Sequence, residues 1–346
     1  GRLAKALAEA EEALRLQPNL GEGRLALAHY YYWGVNDLDR ALAELARAGE
    51  LIPNSADVWS MRASLYRRQG KIRERIAALQ QAEILDPSNT KNRADLGGAF
   101  FLVRNWAEGI RTRSRIRAEL PDPKPFPWGI TVADFRRTGV LDPLKKLIAE
   151  VPPGEGPEEL TTLRWGRYHV AMLERNYAAA ERFLREIPAG ETGQSKLMAE
   201  AFLEVARGAD PAVAERALVK ARQEIEKLLA DDSADPLLQV NLGLIDAFRG
   251  RKEDAIREGR RAVELRDDPL EKNDASAALA LIYARTGESD EAIKLIEKLL
   301  TLPATMGTYP IFTMAQADLK WRWVWDPLRS DARFQKILEE PEPKTI

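Results

Sequence analysis

His29 and His169 are the only imidazoles in this chain, and they fall in different parts of it. Imidazole is the side chain best suited to move protons near neutral pH. An enzyme built here would need one of them beside carboxylates in a closed pocket. No His-x3-His or Glu-x2-His spacing places metal ligands on one helix face. There is no cysteine, so disulfides and thiol catalysis are excluded. The chain has no Gly-rich loop ending in Lys-Ser/Thr and no His-Glu-x-x-His run. The stretch Gly21-Glu22-Gly23-Arg24-Leu25-Ala26 matches a dinucleotide fingerprint only on paper, because it follows a helix-ending proline instead of a strand. The acidic pairs Asp231-Asp232 and Asp267-Asp268 fall at helix ends, where turn chemistry accounts for them. The expected function is non-catalytic, with no cofactor and no metal. An enzyme with an unrecognised site is the alternative from another class.

Composition points the same way. Of 346 residues, 45% are hydrophobic and 31% charged, with a formal net charge of −2. That balance gives no global attraction to nucleic acid or to a membrane surface. No apolar run reaches the ~18 residues of a membrane span, so membrane insertion is not expected. No basic-then-apolar leader precedes the first helix, and the expected location is cytoplasmic.

The elements that would position any binding residues follow from a period. Pro18, Pro53, Pro87 and Pro121 recur at a near-constant spacing of about 34 residues, each after a helical run. Such a period marks a repeat array, in which each unit packs only on its neighbours. The period breaks after Pro121, where Pro-Asp-Pro-Lys-Pro-Phe-Pro-Trp-Gly-Ile cannot sustain a helix. A short amphipathic helix is expected from Val132 to Val151, interrupted near Asp142-Pro143. A second breaker follows at Pro152, Pro153, Gly154, Gly156 and Pro157. The expected organisation is an array over 1–121, an interruption over 122–158, a second array over 159–303, and a cap and tail over 304–346.

Within the units, Trp59, Ala63, Tyr66, Gly70, Leu79, Ala82 and Pro87 resemble the tetratricopeptide repeat (TPR). So do Leu27, Ala28, Tyr31, Ala41, Leu45, Ala48 and Pro53, whose unit is one residue longer; the extra residue is expected in the Gly34–Asn36 turn. A third set, Leu96, Gly97, Phe100 and Trp106, is followed by Arg113 and Ile116 where apolar and small residues are expected. After the break, Trp165, Ala171, Tyr177, Ala180 and Leu184 form one unit. A long pair is expected over 194–207 and 211–230. Leu242, Gly243, Gly250, Ala255 and Ala262 form the next unit, and Leu279, Ala280, Tyr283, Gly287, Ala292 and Leu299 the last. The first unit keeps only Ala6, Ala10, Ala13 and Pro18, a second helix without its first. The chain therefore looks like a fragment of a longer protein with Gly1 as a tag remnant, able to self-associate through that truncated repeat. The resemblance implies an all-α fold: a right-handed TPR-type solenoid of about seven antiparallel helix pairs, interrupted once.

Residues 160–340 also resemble a C-terminal module of bacterial multidomain signalling proteins, carried by Leu242-Gly243 to Lys252, Ala255 to Leu265 and Trp325 to Asp331. In that group the array follows a kinase, a nucleotide cyclase or a winged-helix domain. The resemblance implies a scaffold or sensor segment that binds a protein or peptide partner. A receptor for a short peptide or small ligand is the alternative.

In TPR arrays the first helix of each pair lines a groove, through the ninth, twelfth and thirteenth repeat positions. Those positions yield His29, Tyr32 and Trp33, then Ser64, Arg67 and Arg68, then Gly98, Phe101 and Leu102 with Lys91 near the helix start. After the break they yield His169, Met172 and Leu173, with Trp165 close by. The candidate groove residues are His29, Tyr32, Trp33, Arg67, Arg68, Lys91, Phe101, Trp165 and His169. Aromatic and arginine side chains dominate protein-binding hot spots; inter-repeat packing is the competing role for the Tyr30–Trp33 cluster. The carboxylate clamp of chaperone-binding TPR domains maps to Leu25, His29, Met61, Lys91 and Asp95, where only Lys91 fits.

From 56 to 120 the chain carries 13 Lys and Arg against 7 Asp and Glu. Charge runs on repeat helices are usually solvated faces; an acidic partner or a contact with the acidic half of the chain is the alternative. No base-stacking aromatics alternate with these arginines, so nucleic acid is not the expected partner. Trp321, Trp323 and Trp325 hold three of the eight tryptophans. A Trp-rich turn or extended plug there, followed by a helix from Ala332 to Glu340, is expected to cap the apolar end of the pair at 275–302. Met306 to Ile311, with Gly307 and Pro310, is expected to be irregular.

Overall fold

The computed structural model describes residues 1–121, 127–150, 157–188, 193–231, 235–303, 314–343 and 345. The irregular stretch expected at Met306–Ile311, the first five residues of the breaker at 152–157, most of the Pro-rich run after Pro121, and Asp232 lie outside the described residues. The chain divides into two compact units. Unit 1 holds residues 1–100 and 111–120, and unit 2 holds 101–110 and 121–346.

Nineteen α-helices and no strand occur among the described residues. They are α1 (Arg2–Leu16), α2 (Gly21–His29), α3 (Leu38–Leu51), α4 (Ala56–Arg68), α5 (Ile72–Leu85), α6 (Thr90–Leu102), α7 (Trp106–Glu119), α8 (Trp128–Thr138), α9 (Asp142–Glu150) and α10 (Pro157–Leu173). After them come α11 (Tyr177–Glu186), α12 (Gly193–Ala206), α13 (Pro211–Asp231), α14 (Pro236–Phe248), α15 (Lys252–Glu264), α16 (Pro269–Arg285), α17 (Ser289–Thr301), α18 (Gln316–Trp321) and α19 (Ala332–Glu339). Seven tandem pairs result: α2/α3, α4/α5, α6/α7, α10/α11, α12/α13, α14/α15 and α16/α17.

Short polar side chains start these helices by accepting the orphan N–H groups of the first turn. Asp37 accepts from Arg40 N, Ser55 from Val58 N and Asn176 from Ala179 N. Asp235 and Asp268 each cap a helix whose first residue is proline, which has no N–H to leave unsatisfied. Inside each pair the chain reverses through one left-handed residue. In the α4/α5 pair that residue is Gly70 at φ 71°, where the missing Cβ removes the steric cost. The equivalent turns of the preceding and following pairs use Asn36 and Arg104, both at φ 54°. A side chain there is strained, and in each case it is engaged. Asn36 Oδ1 accepts from Arg68 Nη2 at 3.0 Å, and Arg104 is held by a set of carbonyls in unit 2.

The longer second unit is accommodated differently from expectation. Its extra residue widens the end of α2 into a π-helical turn, Tyr30–Gly34, before the chain reaches Asn36. Asp37 N then donates to Tyr31 O at 2.7 Å. Such single wide turns absorb an inserted residue without breaking the helix. The change shifts every side chain after His29 around the axis.

In unit 1 the core is two clusters. Leu25, Ala28, Tyr32, Ala41, Leu45, Ala48, Val58, Met61 and Leu65 form one, and Ala63, Ala78, Leu79, Leu96 and Ala99 the other. The small residues let the paired helices approach closely. Helix α1 contributes only Ala10 to a buried position, and its Leu3 and Leu16 are exposed.

In unit 2 one core runs from Tyr168 on α10 to Ile337 on α19. Helices α14 and α15 cross closely at Gly243, where an added Cβ would lie 3.0 Å from Ala255 O and 3.1 Å from Gly259 N. The stretch between the two tandem arrays forms two helices. Gly139, at φ 68°, closes α8, which begins four residues earlier than the sequence suggests. Phe135, Leu141 and Leu144 from this stretch pack with Val170, Leu173 and Ala317.

The tryptophan-rich segment is broken in two. Helix α18 ends at Arg322, whose backbone is extended, and Trp323–Leu328 follows as a 3-10 turn with Pro327 inside it. The turn joins the core of α16 and α17 through Trp323, Val324, Trp325 and Leu328. It reaches further as well: Trp321 Nε1 donates to Gly139 O at 2.9 Å, and the Trp323 ring lies 5.5 Å from that of Phe248 on α14.

Candidate functional site

The first helices of unit 1 stand side by side, joined by polar contacts. Tyr32 Oη at the end of α2 donates to Ser64 O on α4 at 3.3 Å. Ser60 Oγ on α4 donates to Asn92 Oδ1 on α6 at 2.8 Å. These bonds fix the register of the three helices and present one face of each to solvent.

The wide turn at Tyr30–Gly34 sorts the aromatics of this face. Tyr32 is buried at 7% exposure, in the core cluster with Leu25 and Met61. Its assignment as a groove residue is therefore corrected: it is packing between repeats. The insertion turns it inward, and its hydroxyl finds a carbonyl there. Trp33, the next residue, is 71% exposed and meets the Tyr32 ring edge-on at 4.6 Å. His29 is exposed, one helical turn before Trp33. Its pKa is lowered, first by partial desolvation, against the attraction of Asp57, with Lys91 adding repulsion. One neighbourhood thus contains residues of α2, α4 and α6. Arg67 and Arg68 are half-buried at the end of α4, and Arg68 bonds Asn36. Lys91 Nζ, at the start of α6, bonds Asp95 Oδ2 at 3.0 Å.

Phe101 does not belong to this face. It is 2% exposed and packs in unit 2 with Trp106, Ala133 and Ala315. Its ring centroid is 6.0 Å from that of Trp106. This is a second correction to the expected groove. The apolar side chain at that repeat position is needed by a neighbouring core.

The basic stretch is not a solvated face throughout. Arg93 makes a two-pronged ion pair with Glu119, and Arg115 Nη2 lies 3.4 Å from Glu83 Oε1. Arg113 is turned inward from α7, and its Nη2 donates to Ala94 O at 3.3 Å. It runs past Gly98, where a Cβ would stand in ordinary contact with that nitrogen at 3.4 Å. Desolvation lowers the pKa of Arg113, and Asp95 opposes the shift. Arg75 on α5 is the residue that the sequence pattern left unmarked. It falls on the line Ile72, Arg75, Leu79 and Ala82, the buried stripe of its helix. A charge on an apolar stripe at helical spacing was the available signal. Its side chain is 12% exposed, and its nearest carboxylate oxygen, on Asp95, is 3.9 Å away.

In unit 2 the corresponding face is occupied by the chain itself. Trp165 and His169 stack 5.8 Å apart on α10, and Tyr168 Oη donates to Ala199 O at 3.2 Å. Burial raises the Tyr168 pKa. Desolvation, with Arg322 nearby, pushes His169 down to about 3. On α16, Arg285 lies over the rings of Phe248 and Trp323, 4.5 and 5.5 Å from their centroids. Arg175, the left-handed residue between α10 and α11, binds Asp326 through two bonds of 2.7 Å. His169 thus lies near Arg322 of the tryptophan-rich segment, and Trp165 is half-buried against the unit 2 core, so neither stands on an open wall.

Two histidines in separate units, neither hydrogen-bonded to a carboxylate among the described residues, supply no acid–base pair. No group of three or more His, Asp or Glu side chains among the described residues could hold a metal ion. No described helix is long and apolar enough to cross a membrane.

Among solved structures, the chain is similar to a tetratricopeptide repeat protein from Parabacteroides merdae, with 16% identity over 81% of this chain and 92% of that one and a TM-score of 0.40. Yeast Tom70 is 14% identical, covering 81% of this chain and 68% of its own, with a TM-score of 0.32. The TPR domain of P58(IPK) is 14% identical over 98% and 92% of the two chains, with a TM-score of 0.27. No curated protein sequence matches. The tetratricopeptide repeat family model matches residues 56–89 and 274–305, the segments that contain α4 with α5 and most of α16 with α17. With those two repeats, seven tandem helix pairs and no strand among the described residues, the fold is all-α and of the tetratricopeptide-repeat type.

Proposed function

We propose that this chain is a non-catalytic recognition segment, and that it binds a protein or peptide along the first-helix face of unit 1. The observation that carries the reading is Trp33. A tryptophan at 71% exposure, beside a tyrosine of the same run that is locked in the core, leaves a large apolar surface in water. Exposed tryptophans flanked by arginines are the usual anchors of binding hot spots, and Arg67, Arg68, His29 and Lys91 surround the same face. In unit 2, Trp323 packs against Phe248 and Arg285 of the first helices, which favours unit 1 as the binding surface. The resemblance of residues 160–340 to a signalling module supports a place in a larger bacterial signalling protein acting in the cytoplasm, with unit 1 as its recognition end.

The test is selection of binders to the full chain from a displayed random-peptide library, with affinities then measured by fluorescence anisotropy. Trp33→Ala should weaken the selected peptides at least tenfold while melting temperature and helicity stay unchanged. Undiminished binding by a folded Trp33→Ala variant overturns the reading.

A further inference from the structure

Arg75 is a poorly satisfied, largely buried charge of unit 1. Its guanidinium makes no hydrogen bond among the described residues, and its Nε is enclosed without a partner. The single ion pair is long, 3.9 Å to Asp95 Oδ1, and the other oxygen of that carboxylate is already bonded to Lys91 at 3.0 Å. Arginine stays protonated at any working pH, so it cannot escape the cost of burial by losing its charge. Burial of a charged donor without an acceptor is unfavourable. Desolvation accordingly lowers the Arg75 pKa, with Asp95 opposing and Arg67 reinforcing the shift.

The surroundings carry an excess of positive charge. Arg75, Lys91 and Arg113 all draw on the charge of Asp95, and Arg67 is close enough to repel Arg75. The Arg75 side chain is 12% exposed, with its Nε enclosed, beside the Asp95 carboxylate that Lys91 also holds. A planar fork of donors matches the two oxygens of a second carboxylate.

We propose that Arg75 receives an acidic side chain, Asp or Glu, of the peptide bound across the first helices of unit 1. This rests on the peptide-binding reading above and names the chemistry of its partner. The acidic group accepts from the terminal guanidinium nitrogens that Asp95 leaves unbonded and adds negative charge beside Arg75. Because Arg75 rises from α5, a second helix, it reads the ligand from beneath the row of first helices, between α4 and α6.

The random-peptide selection tests both statements separately. Peptides selected on the wild-type chain should share one acidic position. Replacing that acid by its amide should weaken binding at least tenfold. On Arg75→Gln the acid and amide forms should bind alike, and Arg75→Lys, which keeps the charge but not the fork, should recover only part of the difference. Arg73→Gln, at an exposed arginine of the same helix, should change nothing. In the absence of peptide, Arg75→Gln should melt at or above the wild-type temperature, since it removes an uncompensated charge. Selected peptides with no shared acid, an acid preference that persists in Arg75→Gln, or a large fall in melting temperature would each overturn the proposal. If those peptides still depend on Trp33, the recognition reading stands and only the Arg75 assignment falls. A selection that yields no binder overturns both.

Discussion

Arg136 and Asp318, far apart in sequence, form an ion pair of 3.0 Å in which both side chains are almost wholly buried, at 4% and 1% exposure. Arg322 binds the other oxygen of Asp318 at 2.8 Å through Nε. One carboxylate thus joins α8, from the stretch between the two tandem arrays, to the turn that follows α18. Removing the carboxylate takes this ion-pair acceptor from two guanidinium groups in a dry site, and breaking a buried pair from one side costs on the order of 3–5 kcal/mol. Asp318→Leu should therefore lose stability of that size in urea denaturation. Arg136→Met should lose less, because Asp318 keeps Arg322. Equal small effects would mean the site is solvated.

Deleting the segment after Thr301 removes Trp323, Trp325, Leu328 and Phe334 from the unit 2 core. Each large aromatic taken from a core costs about 3–5 kcal/mol, and the faces of α16 and α17 are left uncovered. The fragment 1–301 should melt well below the full chain and aggregate. Matching melting temperatures, with no aggregation, would assign the tryptophans to partner binding instead of the core.

Tyr32 and Trp33 should behave oppositely although they are adjacent. Tyr32→Ala opens a cavity, for a loss of roughly 3–5 kcal/mol, and it also removes the hydrogen bond to the Ser64 carbonyl. Trp33→Ala touches an exposed ring, and surface substitutions of that kind leave stability almost unchanged. Thermal and chemical denaturation of the two variants distinguish them, and comparable destabilisation would refute the sorting by the wide turn.

His169 makes unit 2 sensitive to acid. Its folded pKa, about 3, lies below the ordinary value of 6.5. In the window between them the unfolded chain binds a proton that the folded chain refuses, so stability rises with pH. The contribution is complete above pH 6.5 and is lost as the pH falls. A tenfold difference in proton affinity is worth ~1.4 kcal/mol, so from pH 7 to 5 the loss is at most about 2 kcal/mol. His169→Gln should flatten this part of the profile, measured by urea denaturation. An unchanged slope would place the acid sensitivity elsewhere.

Helix α1 should be the least protected part of unit 1. Only Ala10 is buried on it, while Leu3 and Leu16 are exposed. Hydrogen exchange over residues 2–16 should be far faster than over 240–265, which line the core of α14 and α15. Equal protection in a monomeric sample would contradict this; equal protection in a dimer would show the exposed face covered by a second copy.

The helix pairs are legible in the chain because their causes are local. Prolines recur at the repeat length, small residues recur where two helices must touch, and capping residues such as Ser55 and Asp235 sit at the starts. Periodicity also indicates which face of each helix is apolar, and it places His29, Arg68 and Lys91 on a common row. Which of those residues stay open is a matter of packing that no local pattern records. A π-helical turn at Tyr30–Gly34, required by one inserted residue, buries Tyr32 and exposes Trp33, and counting positions along a regular helix does not predict that rotation. Phe101, Trp165 and His169 are claimed by cores and covers built from residues far away in the chain, including Ala315, Arg322 and Trp323. Arg75 is visible on an apolar stripe, but whether Asp95 satisfies it depends on a separation of 3.9 Å across two helices. Repeat patterns specify contacts between neighbours in sequence. Contacts such as Arg136 with Asp318 arise when distant segments close on one another, so they are fixed by the folded chain and not by any spacing along it.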